Sequence, residues 1–441
     1  MPTADPPSQE LADVRNQYEA LPYPPRDPQD ERKGLATTWL DDLPMLSHYG
    51  YAGRQRFDGG FRALVAGGGT GDATIYLAEQ LRATGGEVVH LDFSRASSDI
   101  ARQRAAIRGL ANIRWVEASL LDLPALGLGA FDYINCVGVL HHMADPDSGL
   151  RALLGSLKAG GAMGLMVYAR AGRAGVYQMQ QLLRLVNGEE SGHEARLDVA
   201  RQMLSSVPRT NWFKRGEDLY GDHRNGDAGI YDLLLHTQDR AYSVGEIFDW
   251  LEGGHGLHLE FTDVQRGRSS YLPHLVMGSQ PPRVLAKIRE LPRRRQYEIA
   301  ELFSGRILVH AFFATREAAV APYGDPDFVP YLFHEPVTGE DLAKVFARSR
   351  GEPFVLDHQW SGVCVRVRPG RCTPAILRRI DGRASFGEIF AQVRAEPGLR
   401  VQAATDAELF EDFRESYEVL NALDRLLLRH RDFPLPARPA K

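Results

Sequence analysis

Cysteine is scarce in this chain: Cys136, Cys364 and Cys372 are the only three in 441 residues. They are too few and too scattered for a disulfide framework or a zinc site, and Cys136 reads as a reduced, buried small hydrophobe. No apolar run approaches the roughly eighteen residues that a membrane span needs. Met1 to Gln9 is polar and proline-rich, without the apolar centre of a signal peptide. Positive charge is not in surplus either, with 52 Lys and Arg against 57 Asp and Glu and a net charge of −5. That balance removes the overall electrostatic case for nucleic acid. A cytoplasmic protein without metal or membrane is the expectation. Hydrophobic residues make up 44%, enough for sizeable cores, and the length suits two to three domains.

What is present is organised around Leu64 to Asp72, a glycine-rich turn between two periodic segments. Phe61 to Ala66 is short and nearly continuous in apolar residues, as a buried parallel strand is. Thr74 to Arg82 carries Ile75, Leu77, Ala78 and Leu81 at the spacing of a helix face. Gly67, Gly69 and Gly71 permit a tight turn and a close approach of ligand to backbone. A second apolar run, Val88 to Leu91, ends in Asp92, twenty-one residues after Gly71. A carboxylate there, at the tip of the next strand, can accept hydrogen bonds from both hydroxyls of a ribose. Dinucleotides and S-adenosylmethionine both fit such a crevice.

The text after Asp92 separates the two. Trp115 to Pro124 closes a third strand and contains Asp122-Leu123-Pro124. Phe131-Asp132 opens a fourth, which runs to Leu140-His141-His142. Leu157-Lys158-Ala159-Gly160-Gly161 turns into a fifth, Ala162 to Val167. With the glycine turn and Asp92, this order over about a hundred residues resembles the class I S-adenosylmethionine-dependent methyltransferases, especially the branch that modifies small molecules and side chains. The resemblance implies an α/β fold, a Rossmann-like seven-stranded sheet whose last strand is antiparallel. It also implies a cofactor site drawn from Ala66, Gly67, Gly69, Gly71, Asp92, Phe93, Ser94, Ser119, Leu120, Cys136 and Val139. Asp92 would take the ribose, and Phe93 and Leu120 the two faces of the adenine. Two positions depart from the family pattern. Val65 stands where an acidic residue is common, and Ser119 where an Asp usually meets the adenine amine, although a hydroxyl can still accept there.

Around this core, residues 1–60 read as a helical cap. Leu11 to Ala20 is helical and is stopped by the proline-rich stretch after Leu21. Tyr18 and Tyr23 are candidates for a lid over the ligands or simple anchors of the segment. Residues 61–168 form the cofactor-binding core, and 169–315 a substrate-cap insertion followed by the last two strands. Within that insertion Trp212, Asp239 and Arg240 are candidate acceptor contacts, and His236 and Tyr242 candidate catalytic groups. Asp239 and Arg240 equally read as an exposed turn pair. The run Arg293 to Arg295 reads as a solvated face. Residues 316–336 read as a linker, rich in proline, glycine and acids. Residues 337–441 resemble a small winged-helix domain, with Leu409 to Leu427 as a long apolar helical stripe suited to a core or a dimer seam.

His141 and His142 follow the fourth strand at the crevice where such sheets bind ligands. An imidazole there can take a proton from an oxygen, nitrogen or carbon nucleophile, with His141 favoured because it lies nearer the strand. Packing against the cofactor is the plain alternative. The function expected is methyl transfer from S-adenosylmethionine to a small molecule or a protein or peptide side chain. The alternatives are an RNA base methyltransferase, or a catalytically silent module that binds the cofactor and regulates a partner.

Overall fold

The computed structural model describes residues 9–188, 192–262, 268–277, 282–333, 337–358 and 363–439. The short apolar runs become strands, and each glycine or charged break between them becomes a turn into a helix. The strands are β1 (Arg62–Ala66), β2 (Glu87–Asp92), β3 (Ile113–Glu117), β4 (Phe131–Val137), β5 (Leu157–Tyr168), β6 (His258–Thr262) and β7 (Val309–Thr315). They form one sheet in the order β3-β2-β1-β4-β5-β7-β6. All neighbours from β3 through β5 are parallel, and β7 runs antiparallel to both β5 and β6. The crossovers place helices on both faces, as right-handed parallel connections require. The sequence order reverses direction between β1 and β4, which puts the ligand crevice at the carboxyl ends of those two strands.

Helices α1 (Gln9–Ala20) and α2 (Leu43–Gly50) form the N-terminal cap, and α3 (Asp72–Leu81), α4 (Arg95–Arg108) and α5 (Pro146–Ser156) the crossovers. Arg104 of α4, buried to 2% exposure, ties cap to core. It donates to Glu31 Oε1, the Thr70 carbonyl and Asp72 Oδ1, each at 2.7 Å. After β5 the cap insertion begins with α6 (Ala174–Asn187) and α7 (His193–Ser206). These build a separate apolar cluster with Phe213, Tyr220 and the segment Tyr231–Leu235. That last segment is a π-helical turn, a form that recurs at functional sites.

Two expectations for the C-terminal part need correction. The stretch 316–336 contains a strand, β8 (Phe328–Leu332), with Phe328 and Val329 fully buried. The proline and acid clusters mark its flanks, and Pro330 is tolerated because β8 belongs to a two-stranded ladder and has a free edge. The stripe ending at Leu427 is not one helix. The helix Asp406–Ala422 stops, Asp424 turns the chain at a positive φ of 53°, and Leu427 lies in a strand of its own. Strands β9 (Phe354–His358) and β10 (Val363–Val367) pair antiparallel, and β11 (Leu426–His430) pairs with β8. The turn expected at 359–362 lies outside the described residues. This C-terminal unit is sewn onto both the N-terminal cap and the end of β6: Tyr49 donates to Asp424 Oδ1 at 2.5 Å, and Thr262 to Asp424 Oδ2 at 3.0 Å. No helix among the described residues is long and apolar enough to cross a membrane.

Candidate active site

The glycine turn is shaped by packing as well as by φ. Gly67, Gly69 and Gly71 all hold positive φ, at 75°, 51° and 100°. A Cβ on Gly67 would lie 2.3 Å from Val139 Cγ2, and one on Gly71 would lie 2.7 Å from Ala101 of α4. The first keeps the β1 and β4 ends in contact, and the second lets α3 and α4 close up. Asp92 accepts the amide protons of Gly69 and Ser94, one on each carboxylate oxygen, both at 2.7 Å. Burial pushes its carboxyl above the usual range. Each oxygen keeps a second lone pair with which to accept.

The other expected cofactor residues line the same end of the sheet. Ala66 closes β1, fully buried. Phe93 meets Tyr18 edge-on, with ring centroids 6.4 Å apart. Leu120 and Cys136 are buried in the main core, and burial drives the Cys136 thiol up to about 12. Ser119 caps a short 3-10 turn through Leu121, and Asp122 returns a bond to the Ser119 amide. Asp-Leu-Pro is therefore a turn. Val65 is buried in the sheet, opposite Asn135 in register.

The N-terminal segment crosses this crevice. Thr70 donates to the Pro24 carbonyl at 2.7 Å, and Glu19 accepts the first amides of α4 from Arg95 and Ala96. A Cβ on Gly69 would lie 2.9 Å from the Tyr23 carbonyl, so that carbonyl passes directly over the turn. The Tyr18 carbonyl accepts from Ser94 Oγ, while the Tyr18 hydroxyl reaches the other way and donates to Asp232 at 3.2 Å.

There the structure gathers a second, acceptor-side cluster. His142 stacks on His236 with centroids 3.8 Å apart, and His141 lies against His142 and Tyr168 at 4.1 and 4.0 Å. The backbone of Gln238 fixes two tautomers, through the peptide groups on either side of it. Its carbonyl only accepts, so His142 Nδ1 carries the proton in their 2.8 Å bond, and Nε2 keeps a lone pair. Its amide donates to His236 Nδ1 at 3.1 Å, so the proton of a neutral His236 sits on Nε2. That Nε2 lies 3.4 Å from the Tyr18 hydroxyl. Tyr168 donates to the other oxygen of Asp232 at 3.3 Å. Burial holds the Asp232 carboxyl above its ordinary range and holds His141 and His236 well below theirs. Both ring nitrogens of His141 lack a partner among the described residues.

His142, Asp232 and His236 present ligand atoms within 4.8 Å of one another, all buried. The donor set suits a divalent ion by type. The Gln238 amide opposes it, because a His236 that accepts at Nδ1 offers a proton rather than a lone pair at Nε2.

Of the remaining expected residues, Asp239 joins the wall of this chamber, accepting from Tyr177 at 3.1 Å and Gln180 at 2.8 Å. Tyr23 lies over the turn, as described. Three residues go elsewhere. Tyr242 stacks on Trp250 at 5.5 Å within the main core, Arg240 is exposed and covers the Tyr242 ring, and Trp212 is 58% exposed. Five chamber residues stood outside the sequence expectations: Tyr168, Arg173, Tyr177, Asp232 and Gln238. Asp232 alone left a trace, a lone acid inside the apolar run Tyr231–Leu235.

A seven-stranded sheet with this strand order, a left-handed glycine turn and an acid at the tip of β2 defines a Rossmann-like nucleoside-binding protein. Comparison with known proteins narrows the class. A methyltransferase-domain family model matches residues 64–163. An uncharacterized protein of Synechococcus is 32% identical over 329 residues, 74% of this chain and 76% of that one. A ubiquinone biosynthesis O-methyltransferase of Vibrio parahaemolyticus is 25% identical over 196 residues, 42% of this chain and 80% of that one. Among solved structures, PKMT2 from Rickettsia typhi shares the fold, with a TM-score of 0.58 at 15% identity over 89% of this chain and 76% of that one. The same protein in complex with AdoHcy gives a TM-score of 0.57 at 13% identity, over 92% of this chain and 77% of that one. The chain belongs to the class I S-adenosylmethionine-dependent methyltransferases, and its cofactor is S-adenosylmethionine.

Proposed function

We propose that the enzyme methylates an oxygen nucleophile on a small molecule or on a peptide or protein side chain held in the histidine-lined chamber. The observation that carries this reading is the pair of stacked imidazoles set by the backbone of one residue, Gln238, with a lone pair left on His142 Nε2. The cofactor, when bound, supplies a methyl group already activated by its sulfonium. Asp92 and the glycine turn would hold its nucleoside and methionine halves. As the acceptor oxygen takes the methyl, its proton passes to His142 Nε2, and the Gln238 carbonyl stabilises the imidazolium through Nδ1. His236 and Tyr18 orient the acceptor, and the buried wall of Tyr168, Asp232 and Asp239 excludes water. The name of the Vibrio relative, a ubiquinone biosynthesis O-methyltransferase, agrees with this chemistry.

Enclosure argues for a small acceptor and against a folded RNA, which calls for a basic groove with stacking aromatics. The run Arg293 to Arg295 is matched by acids: Arg293 by Glu252 and Glu260, Arg294 by Asp249 and Glu298, and Arg295 by Glu298. A tritiated-methyl assay on lysate split into protein, RNA and small-molecule pools tests the proposal. Label is expected in the small-molecule or protein pool. Label in RNA overturns it, and affinity for S-adenosylhomocysteine with no label anywhere would indicate a silent module.

A further inference from the structure

We infer that Arg173 anchors a carboxylate carried by the methyl acceptor. The inference rests on the proposed acceptor chamber and names the chemistry of what fills it.

Arg173 opens α6, just after β5, and is 3% exposed. A buried guanidinium is tolerated when its donors are met, because the desolvation of an unpaired ion costs several kcal/mol. Arg104, equally buried, meets that condition with two carboxylates and a carbonyl. Arg173 does not. Its Nε and Nη2 have no hydrogen-bond partner among the described residues. Its nearest acid, Asp239, is 3.9 Å away at Oδ2, too far for a hydrogen bond. That acid is already taken up by Tyr177 and Gln180. The plane of the guanidinium is accounted for by the Tyr168 ring, 3.5 Å beneath it. What remains open is the Nε–Nη2 edge, two parallel N–H donors whose spacing matches the two oxygens of a carboxylate.

The location selects the acceptor as the source of that carboxylate. Tyr168, which carries Arg173 on its face, also touches His141 and donates to Asp232. The open edge therefore shares a wall with the imidazole pair. The methionine carboxylate of the cofactor is the competing source, but β5 stands two places from β1 in the sheet, about 10 Å across. An acceptor with a carboxylate at one end and a hydroxyl at the other would span from Arg173 to His142.

The test is calorimetric titration of the full chain, with and without S-adenosylhomocysteine, using benzoate, benzamide and inorganic phosphate as probes. Benzoate is expected to bind in the millimolar range, and benzamide at least tenfold more weakly. Arg173→Lys keeps the charge and loses the fork, and Arg173→Gln loses both. Each is expected to weaken benzoate tenfold or more while the affinity for S-adenosylhomocysteine stays within twofold. Absence of benzoate binding, equal binding of benzamide, or variants that bind benzoate like the parent would overturn the assignment. So would phosphate binding in place of benzoate, which would replace the carboxylate with another anion. Loss of S-adenosylhomocysteine affinity in both variants would move Arg173 to the cofactor and overturn it as well. A parent chain that binds benzoate but not S-adenosylhomocysteine would instead sink the methyltransferase reading and leave the anchor standing.

Discussion

The two halves of the crevice treat their buried polar groups in opposite ways. On the cofactor side every such group described above is met from within the chain: Arg104 by Glu31, Thr70 and Asp72, Asp92 by Gly69 and Ser94, His90 by Thr74 at 2.8 Å. On the acceptor side Arg173 and both nitrogens of His141 are left open. Buried donors and acceptors without partners are costly. The first half is therefore completed from within the chain, and the second keeps two buried side chains with unpaired groups among the described residues.

Four measurements break or sharpen this contrast, in falling order of effect. His142→Gln should lower kcat of the identified methyl transfer by two to four orders of magnitude, the usual worth of a general base. His141→Gln should cost less than tenfold, and equal losses would make the tautomer argument untenable. In thermal unfolding, Arg104→Met should lose about 3–5 kcal/mol, as when one partner of a buried ion pair is removed. Arg173→Met should lose clearly less, since Asp239 keeps its hydrogen bonds from Tyr177 and Gln180 when the arginine is removed. Similar losses for the two arginines would erase the distinction between the halves. Asp92→Ala should weaken S-adenosylhomocysteine about a hundredfold by calorimetry, the worth of two hydrogen bonds to a charged group. Unchanged affinity would remove the ribose contact.

The effect that is smallest at neutral pH is a pH slope from His90. Burial holds its imidazole at about 3, against about 6.5 for a free histidine. Between those values the unfolded chain binds a proton that the folded chain refuses. Its contribution to stability is thus fully present above about pH 6.5 and is lost as the pH falls toward 3. His90→Asn should flatten that limb of the stability profile, and an unchanged limb would assign it to other groups.

Much of the cofactor half was legible in the sequence because its rules are local. Strands β1, β2 and β4 are short apolar runs, the turn announces itself by glycine spacing, and Asp92 lies a fixed distance on. The acceptor half depends on contacts between distant segments. Arg170 and Arg173 sit three residues apart in the same small-residue stretch, yet Arg170 pairs with Glu246 at the surface while Arg173 is buried. Nothing in the residues around them distinguishes the two. Gln238 acts through its backbone, which leaves no mark on residue type. Trp212 illustrates the converse, a conspicuous side chain that ends in solvent. Strand β8 was hidden by Pro330, which is read as a break wherever the pairing partner, nearly a hundred residues away in β11, is not known.

Tyr18 holds Ser94 with its carbonyl and Asp232 with its hydroxyl, so a single strap bolts both compartments. A substitution at Tyr18 would therefore be felt on both sides of the crevice at once.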